Sequence, residues 1–491
     1  MLHDRRARAL AWLIGALLCA AYLGVRAAEP SGVFMFDFRP YHCAGAIVAR
    51  GGDPYREEPL RSCEVATTVG RAVAAPLPGG AVPAPLPPYA LAAFSPLGRL
   101  GFGAAALVWA SLLAASALAT VAAVARLARL SPWTVAAAFA PIGFLFALPL
   151  GQPALPALAA LVAAAAALRA CKPVLASAAL CAALVEPHVA IVSALTVAIG
   201  FRQTRLPLAA GMALCAGLSI AAVGVPTALE YVRAVLPAHA LAGTFDGMNL
   251  GATAIAAFAG VAPPVAVAIG TAVSLVMLAL GAIVGLRLAR AFDDPALLAL
   301  VPAAFAVVGG VHVHVQQVLW AFPAWLLIAG RVPRARLPIV VAFAVAMVPW
   351  SQLARPETLC VAVVCIGILA RTLLAGRRWI ALALVPVGVA AVAVAVAAWS
   401  PSGVPYLAHP YPAGSLAEVS WADYLAQIFV RHDWLRLWLR VPTWTGVAIV
   451  AATLVSVALT SARHADEGWR ERVAAADVPS RTPFVAEHSR A

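Results

Sequence analysis

The uncharged stretch GAAALVWASLLAASALATVAAV, residues 103–124, decides how this chain folds. A helix of about 20 apolar residues crosses the roughly 30 Å hydrocarbon core of a bilayer. Comparable apolar runs recur along almost the whole chain, which has 491 residues and is 63% hydrophobic and 11% charged. Soluble domains carry about 25% charged residues. The sequence therefore predicts an all-α polytopic membrane protein, because a β-barrel needs alternating apolar and polar positions.

The distribution of charge supports the same class. The net charge of +13 does not indicate nucleic-acid binding, because the arginines form short clusters at the ends of apolar runs. Such clusters usually mark the cytoplasmic ends of membrane helices. By this rule the runs predict about 12–14 crossings with both termini inside. We expect one integral membrane domain over residues 1–461 and a polar cytoplasmic tail over residues 462–491.

The first apolar run, about residues 9–27, allows two interpretations. Its basic flank and the pair Ala27-Ala28 suggest a cleaved signal peptide. Arg26 beside that pair argues against cleavage, and the run is long enough to span a membrane. We interpret it as an uncleaved first helix whose N-terminus lies in the cytoplasm.

Three long polar segments then fall on the external side: residues 28–102, a second segment from about residue 226 to 264, and residues 400–441. The first is rich in acidic residues and proline, and the third is rich in Trp, Tyr and Arg, as interfacial segments are. Because all three face the same side, we expect one external cavity to collect side chains from each of them.

Asp37 is the first aspartate after the first apolar run, within Phe36-Asp-Phe-Arg-Pro-Tyr-His-Cys-Ala-Gly45. A carboxylate held beside the membrane can take a proton from a substrate hydroxyl as a general base. The alternative is a surface acid at a helix end. Asp53 lies in Gly-Asp-Pro, a sequence typical of a turn. Asp37 is therefore our candidate catalytic base.

Residues 173–200 lie between two basic clusters, yet each half is too short to cross a membrane. We expect a broken hairpin that turns at Glu186-Pro-His188. Irregular backbone at membrane depth needs cover from protein or a water-filled cavity, and an ionisable residue there is a functional candidate. The alternative is a buried, paired turn. We predict that Glu186 faces the same cavity as Asp37 and either pairs with His188 or an external arginine or contacts sugar hydroxyls.

Two histidines occupy the external stretch Val311-His-Val-His-Val-Gln-Gln317. His312 and His314 project to the same side if the backbone is extended, and they lie about 200° apart if it is helical. No third metal ligand sits at a useful spacing, so we favour phosphate or hydroxyl binding and predict no metal or other cofactor. A structural role for both rings is the alternative. Arg39, Arg233 and His239 are further external groups that could meet a phosphate.

Cys43 and Cys63 fall in the first external segment, whereas the other six cysteines lie in apolar runs or at their ends. Extracytoplasmic segments are oxidising, so this pair can form a disulfide. It would close a loop of about 20 residues. Two separate thiols are the alternative.

Six features, in this order, resemble the polyprenol-phosphate-mannose-dependent alpha-mannosyltransferases, glycosyltransferase family 87 of the GT-C superfamily. They are the Asp37 stretch with Gly51-Gly-Asp-Pro-Tyr55, Leu86-Pro-Pro-Tyr89, Gly151-Gln152, the short hairpin, Asn249-Leu-Gly251 and the histidine stretch. Two positions depart from the family. Glu186 stands where many members carry lysine, and Gln316 and Gln317 stand nearest to the usual histidine pair.

The resemblance implies a GT-C-type glycosyltransferase fold in the cell inner (cytoplasmic) membrane, with its active site on the extracytoplasmic side. It implies inverting transfer of mannose, or another sugar, from a polyprenyl-phosphate donor to a glycolipid or glycan acceptor, with Asp37 as base. The partners are then donor, acceptor and membrane lipids, and no nucleic acid. The candidate substrate-binding residues are Arg39, Tyr41, Tyr55, Tyr89, Gln152, Glu186, His188, Asn249, His312, His314 and Gln316.

A transporter or lipid flippase is the rival from another functional class. It would favour internal symmetry and charged residues inside helices, and neither is clear in this sequence. A related arabinosyl- or lipid-A-type transferase would share the fold and the base.

Overall fold

The computed structural model describes residues 34–67, 80–346, 356–374, 378–399, 410–429 and 437–476. Within these ranges the chain is helical and has no β-strand; Arg56 and Leu416 form an isolated antiparallel bridge. The expected all-helical class is therefore confirmed. The first apolar run, about residues 9–27, lies outside the described residues, and so does the end of the predicted tail.

The N-terminal half contains nine helices within the described ranges. They are α1 (Phe38–Val48), α2 (Glu57–Ala66), α3 (Pro88–Gly98), α4 (Phe102–Ala128), α5 (Pro132–Phe139, continued by a π-helix, Ala140–Ala147, and by Leu148–Leu150), α6 (Ala154–Arg169), α7 (Pro173–Ala183), α8 (Pro187–Gly200) and α9 (Arg205–Glu230, continued by a π-helix, Tyr231–Val235, and by Leu236–Ala242).

Nine more helices follow in the described part of the C-terminal half. They are α10 (Ala252–Phe258), α11 (Pro263–Ala291), α12 (Leu297–Gly309), α13 (Phe322–Arg331, preceded by a 3-10 helix, Val315–Ala321), α14 (Arg336–Ala346), α15 (Pro356–Leu373), α16 (Arg378–Trp399), α17 (Ala417–Ile428) and α18 (Val441–Ala476).

Four stretches among the described residues are long and apolar enough to cross a membrane: Phe102–Ala128, Arg202–Ala242, Pro263–Ala291 and Val441–Ser461. Six shorter apolar helices of 10–17 residues accompany them. This pattern supports a membrane protein. The count of about 12–14 crossings stays a prediction.

The second polar segment begins later than expected. Helix α9 continues through the predicted boundary to Ala242, so Glu230, Arg233 and His239 are helical rather than in a loop. The helix absorbs a kink at Gly224, whose φ of 78° suits glycine. Polar residues in the last turns of a long helix look the same in sequence as residues in a loop.

The first polar segment is also more ordered than a loop, since it forms α1, α2 and α3. Helices α1 and α3 touch backbone to backbone: a Cβ atom on Gly98 would lie 2.3 Å from the amide nitrogen of Ala46. A disulfide between Cys43 and Cys63 ties α1 to α2, with a Cα–Cα distance of 5.7 Å. The predicted pairing is confirmed.

The three polar segments pack against one another. Arg56 of the first pairs with Glu230 of the second, at 2.6 Å, and donates to the carbonyl of Gly414 in the third, at 2.9 Å. The backbone amide of Ala417 donates to the carbonyl of Tyr55, at 2.9 Å. These contacts form one cap over the helix ends.

A cluster of charged side chains around the buried Asp294 lies at the C-terminal end of α6, away from the cap. Asp294 accepts hydrogen bonds from Arg169 Nε, at 3.1 Å, and from Arg331 Nη2. Arg169 ends α6, whereas Gln152, just before its start, belongs to the cap side. The two arginines, both expected inside, therefore meet at one end of the bundle.

Candidate functional site

A cavity of about 450 Å³ lies beneath the cap. All three polar segments contribute to its wall, as the sequence predicts: Asp37 and Tyr41 from the first, His239 from the second, and Trp421 from the third. The candidate site residues that line it are Asp37, Tyr41, Gln152, Glu186, His188, His312, His314 and Gln316. The structure therefore brings eight of the twelve candidates to one place.

Asp37 occupies the N-cap position of α1 and is held by the loop between α5 and α6. Its backbone amide donates to the carbonyl of Leu150, at 2.9 Å, and its Oδ2 accepts from Gln152 Nε2, at 2.5 Å. Gly151 makes this contact possible, because its φ is +83° and a Cβ there would lie 2.7 Å from the Cβ of Phe38.

The environment of Asp37 suits a base. Burial raises the pKa of Asp37 to about 6, although the hydrogen bond from Gln152 and the nearby charge of His314 oppose the rise. At neutral pH the carboxylate is ionised, and it is more basic than an exposed aspartate. General bases work best when their pKa lies near the operating pH.

Glu186 lies in the turn between α7 and α8, so the predicted broken hairpin is confirmed. Its side chain is buried, faces the cavity, and accepts from Gln317 Nε2 at 3.2 Å. His188 Nε2 lies 3.6 Å from Glu186 Oε2. His188 is therefore a close neighbour of Glu186, whereas the hydrogen-bond partner of the carboxylate is the amide of Gln317. Gln317 is a cavity residue that was not among the candidates.

The histidine stretch forms a cluster with Asp246. His312 Nε2 lies 2.8 Å from His314 Nε2, which lies 2.7 Å from Asp246 Oδ2. The ring of His239 stacks on His312, with centroids 4.4 Å apart, and its Nδ1 lies 3.0 Å from Glu418 Oε2. Sequence spacing could not reveal Asp246 or Glu418, since they are 68 and 179 residues from His314 and His239 respectively.

The side chains of this cluster shift one another's pKa values in different directions. Burial lowers the pKa of His314, but the Asp246 carboxylate outweighs it and raises that pKa overall. Burial would raise the pKa of Asp246, but the charge of His314 and hydrogen bonds from both histidines hold it well below its usual range. Burial, together with the charge of His239, lowers the pKa of His312 to about 3. Beside the cavity, a carboxylate of lowered pKa thus lies between one imidazole of raised pKa and one of lowered pKa.

Asn249 was expected to bind substrate, but it does not line the cavity, and its side chain bonds to backbone groups instead. Its Oδ1 accepts from the amides of Gly251 and Val313, at 2.8 and 3.0 Å, and its Nδ2 donates to the carbonyl of Gly243, at 3.0 Å. These bonds fasten the histidine stretch to the turn that carries Asp246. Asn249 therefore positions the cluster and has its amide groups occupied by backbone.

Three other candidates lie away from the wall of this cavity. The hydroxyl of Tyr55 donates to the carbonyl of Leu86, at 2.8 Å, and that of Tyr89 donates to the carbonyl of Leu184. Arg39 is buried in α1, with its guanidinium 5.7 Å from the ring centroid of Phe36. The structure does not bring these three side chains together with Asp37, because backbone and aromatic partners hold them elsewhere.

Comparison with known proteins adds no relative. The chain matches no protein-family model, and neither a curated protein nor a solved structure matches it. Function is therefore argued from the chemistry of the cavity and from the motif resemblance.

Proposed function

We propose that this protein is a membrane glycosyltransferase that moves mannose, or another sugar, from a polyprenyl-phosphate donor to a glycolipid or glycan acceptor. The observation that carries the proposal is a buried, positioned carboxylate, Asp37, in the wall of a cavity that also contains basic side chains. A volume of about 450 Å³ is within the range of small-molecule sites, roughly 300–1,000 Å³.

The reaction needs one proton acceptor. Asp37 takes the proton of the acceptor hydroxyl while the hydroxyl oxygen bonds to the anomeric carbon of the donor. The bond between that carbon and the phosphate oxygen breaks, and polyprenyl phosphate leaves with the electron pair. Attack from the face opposite the phosphate inverts the anomeric centre, so a β-linked donor gives an α-linked product.

The leaving phosphate needs positive charge or hydrogen-bond donors. Asp37 and Glu186 repel an anion, so the phosphate belongs beside His312 and His314, whose imidazole N–H groups can donate to it. In family 87 members a lysine commonly stands where this chain has Glu186. The histidines take over that role here, and Glu186 is left to bind sugar hydroxyls.

The disulfide supports an extracytoplasmic site. Disulfides form and persist in oxidising compartments, and Cys43 lies in α1, which begins directly after Asp37. The polyprenyl tail then lies along the apolar surface of α9. This helix is part of the stretch Arg202–Ala242, which is only 11% buried within the protein, and its residue Leu236 lines the cavity. On this basis we place the protein in the cell inner (cytoplasmic) membrane.

A transfer assay tests the proposal. The full-length protein in lipid nanodiscs is mixed with labelled polyprenyl-phosphate mannose and an extract of envelope lipids, and products are separated by chromatography. Transfer is supported if the label appears in a new lipid that is more polar than the unlabelled acceptor. This product should also resist the mild acid that cleaves the donor. In vesicles, movement of intact labelled donor across the bilayer without chemical change would instead support the flippase.

A further inference from the structure

Three metal-ligating atoms converge beside the cavity. The distances are 2.8 Å between the two Nε2 atoms of His312 and His314, 2.7 Å from His314 Nε2 to Asp246 Oδ2, and 3.6 Å from His312 Nε2 to Asp246 Oδ2. Three ligands bound to one cation at about 2.1 Å lie about 3.0–3.4 Å apart. The observed separations bracket that range, so shifts of a few tenths of an ångström would complete the geometry.

Hydrogen bonds alone do not account for all the short contacts among these three atoms. Each imidazole nitrogen presents either one proton or one lone pair, in the plane of its ring. His314 Nε2 approaches both His312 Nε2 and Asp246 Oδ2, so a single proton on it can serve only one of the two. In every tautomer one short contact lacks a proton. A cation between the three atoms accepts all three lone pairs at once.

The surrounding hydrogen bonds fix the donor atoms. The other carboxylate oxygen of Asp246, Oδ1, accepts from the amide of Met248 at 2.7 Å, which leaves Oδ2 free to face the histidines. Gln316 Nε2 lies 3.3 Å from the second ring nitrogen of His314. Asn249 ties the two backbone segments together through Val313. Ligands in metal sites are oriented by such outer partners.

We propose that Asp246, His312 and His314 form a binding site for a divalent transition metal of the zinc type. Two imidazoles and one carboxylate favour such ions over Mg²⁺ or Ca²⁺, which prefer oxygen ligands. Three protein ligands leave a coordination position open, as in catalytic zinc sites. His312 and His314 line the cavity, so that position faces an oxygen ligand such as water or phosphate.

The sequence contained two of the three ligands, and the fold supplies the third from a distant turn. Another possible group, His42 with Cys43 and Cys63, is not a site because its two sulfur atoms are bonded to each other. The proposed metal site does not depend on glycosyl transfer, and it can be tested without measuring any activity.

The test is zinc retention. Tag-free, full-length protein in detergent is stripped with a chelator, loaded with ZnCl₂ in the presence of excess MgCl₂, passed through gel filtration, and analysed by mass spectrometry for metal. The variants are Asp246→Asn, His312→Gln and His314→Gln. The matched control is His188→Gln, which removes a cavity histidine outside the proposed ligand set.

We expect about one zinc ion per chain for the natural protein and the control, and an affinity reduced at least about 10–100-fold for each ligand variant. Cobalt loading should give a visible d–d band without thiolate charge transfer. A natural protein that retains no zinc overturns the site, whether or not the variants fold. Binding unchanged in all three variants, or thiolate charge transfer with cobalt, places the metal elsewhere and also overturns it.

Discussion

Burying the ionised carboxylate of Asp37 is unfavourable in free energy, because burial removes its hydration. The hydrogen bond from Gln152, at 2.5 Å, offsets part of that cost, but the pKa still rises to about 6. Nothing in the packing of α1 requires an acid at this N-cap, since the side chain caps no backbone amide. Perturbed carboxylates in a cavity are more typical of functional sites than of stabilising ones.

Asp37→Asn tests the base directly. The amide keeps the shape of the side chain and can still accept a hydrogen bond from Gln152, but it cannot take a proton. We expect normal folding and a turnover lower by about 10²–10⁴-fold in the sugar-transfer assay. Asp53→Asn is the control, because Asp53 serves a turn through the amide of Tyr55. Near-normal transfer by the Asp37 variant would remove Asp37 from the catalytic role.

The acid limb of the pH–rate profile is a second test at the same residue. In the proposed mechanism, transfer requires ionised Asp37, so the rate should fall as pH drops through about 6. The hydrogen bond from Gln152 lowers the pKa of Asp37, and Gln152→Leu should therefore move this limb to higher pH. His314 and Asp246 act on the same carboxyl with opposite signs and are unchanged in the variant. An acid limb that stays in place would show that another group titrates.

The sequence alone predicts some residues of the candidate site but not others. Asp37, Gln152, Glu186 and the two histidines belong to short motifs whose local chemistry can be read in sequence, and the structure gathers them. Asp246 was visible only as one acid in a polar segment. Its role depends on hydrogen bonds through Asn249, which join segments more than 60 residues apart. Such tertiary pairing leaves no signal in a single sequence.

At the scale of elements, the disulfide fixes the helix that starts at Asp37. Cys43 lies in α1 and Cys63 in α2, 20 residues apart in sequence. The free cysteines among the described residues lie outside these helices, and Cys171 and Cys360 are exposed. Within the cap, the bond between α1 and α2 holds short helices that have little intrinsic stability.

Replacing both bonded cysteines by serine should destabilise the cap. A loop of this length contributes about 3 kcal/mol in the chain-entropy model. We expect a lower melting temperature and faster proteolysis within residues 34–67. Cys171→Ser is the control and should leave both unchanged. The disulfide would be excluded if the natural protein, denatured without reductant, exposed all eight cysteines to alkylation.

Helix boundaries show what apolar patterns can and cannot establish. The hairpin of α7 and α8 was predictable, because two basic clusters enclose halves too short to cross. The last turns of α9 were not, since Glu230 and His239 look like loop residues until Arg56 and Glu418 appear as their partners. Pairing across the cap makes polar helical turns favourable here, and only the tertiary structure contains that information.

Across the whole molecule, the cavity and the Asp294 cluster lie at opposite ends of α6. That helix has 16 residues, or about 24 Å at 1.5 Å per residue. Gln152 stands before its first turn and Arg169 in its last. Asp294 and two arginines form the compact charged end that the positive-inside rule assigns to the cytoplasm. We therefore propose that the cap with its disulfide faces the opposite, oxidising side.

Cysteine labelling in intact cells tests this polarity. Cys171 is exposed and follows Arg169, so in the proposed orientation a membrane-impermeant maleimide should label it only after the membrane is permeabilised. Arg50→Cys, at an exposed position after α1, should be labelled without permeabilisation. Both are measured with the other free cysteines changed to alanine and the disulfide intact. Labelling of Cys171 in intact spheroplasts, or protection of the cysteine at position 50, would reverse the orientation and put the Asp37 cavity on the cytoplasmic side.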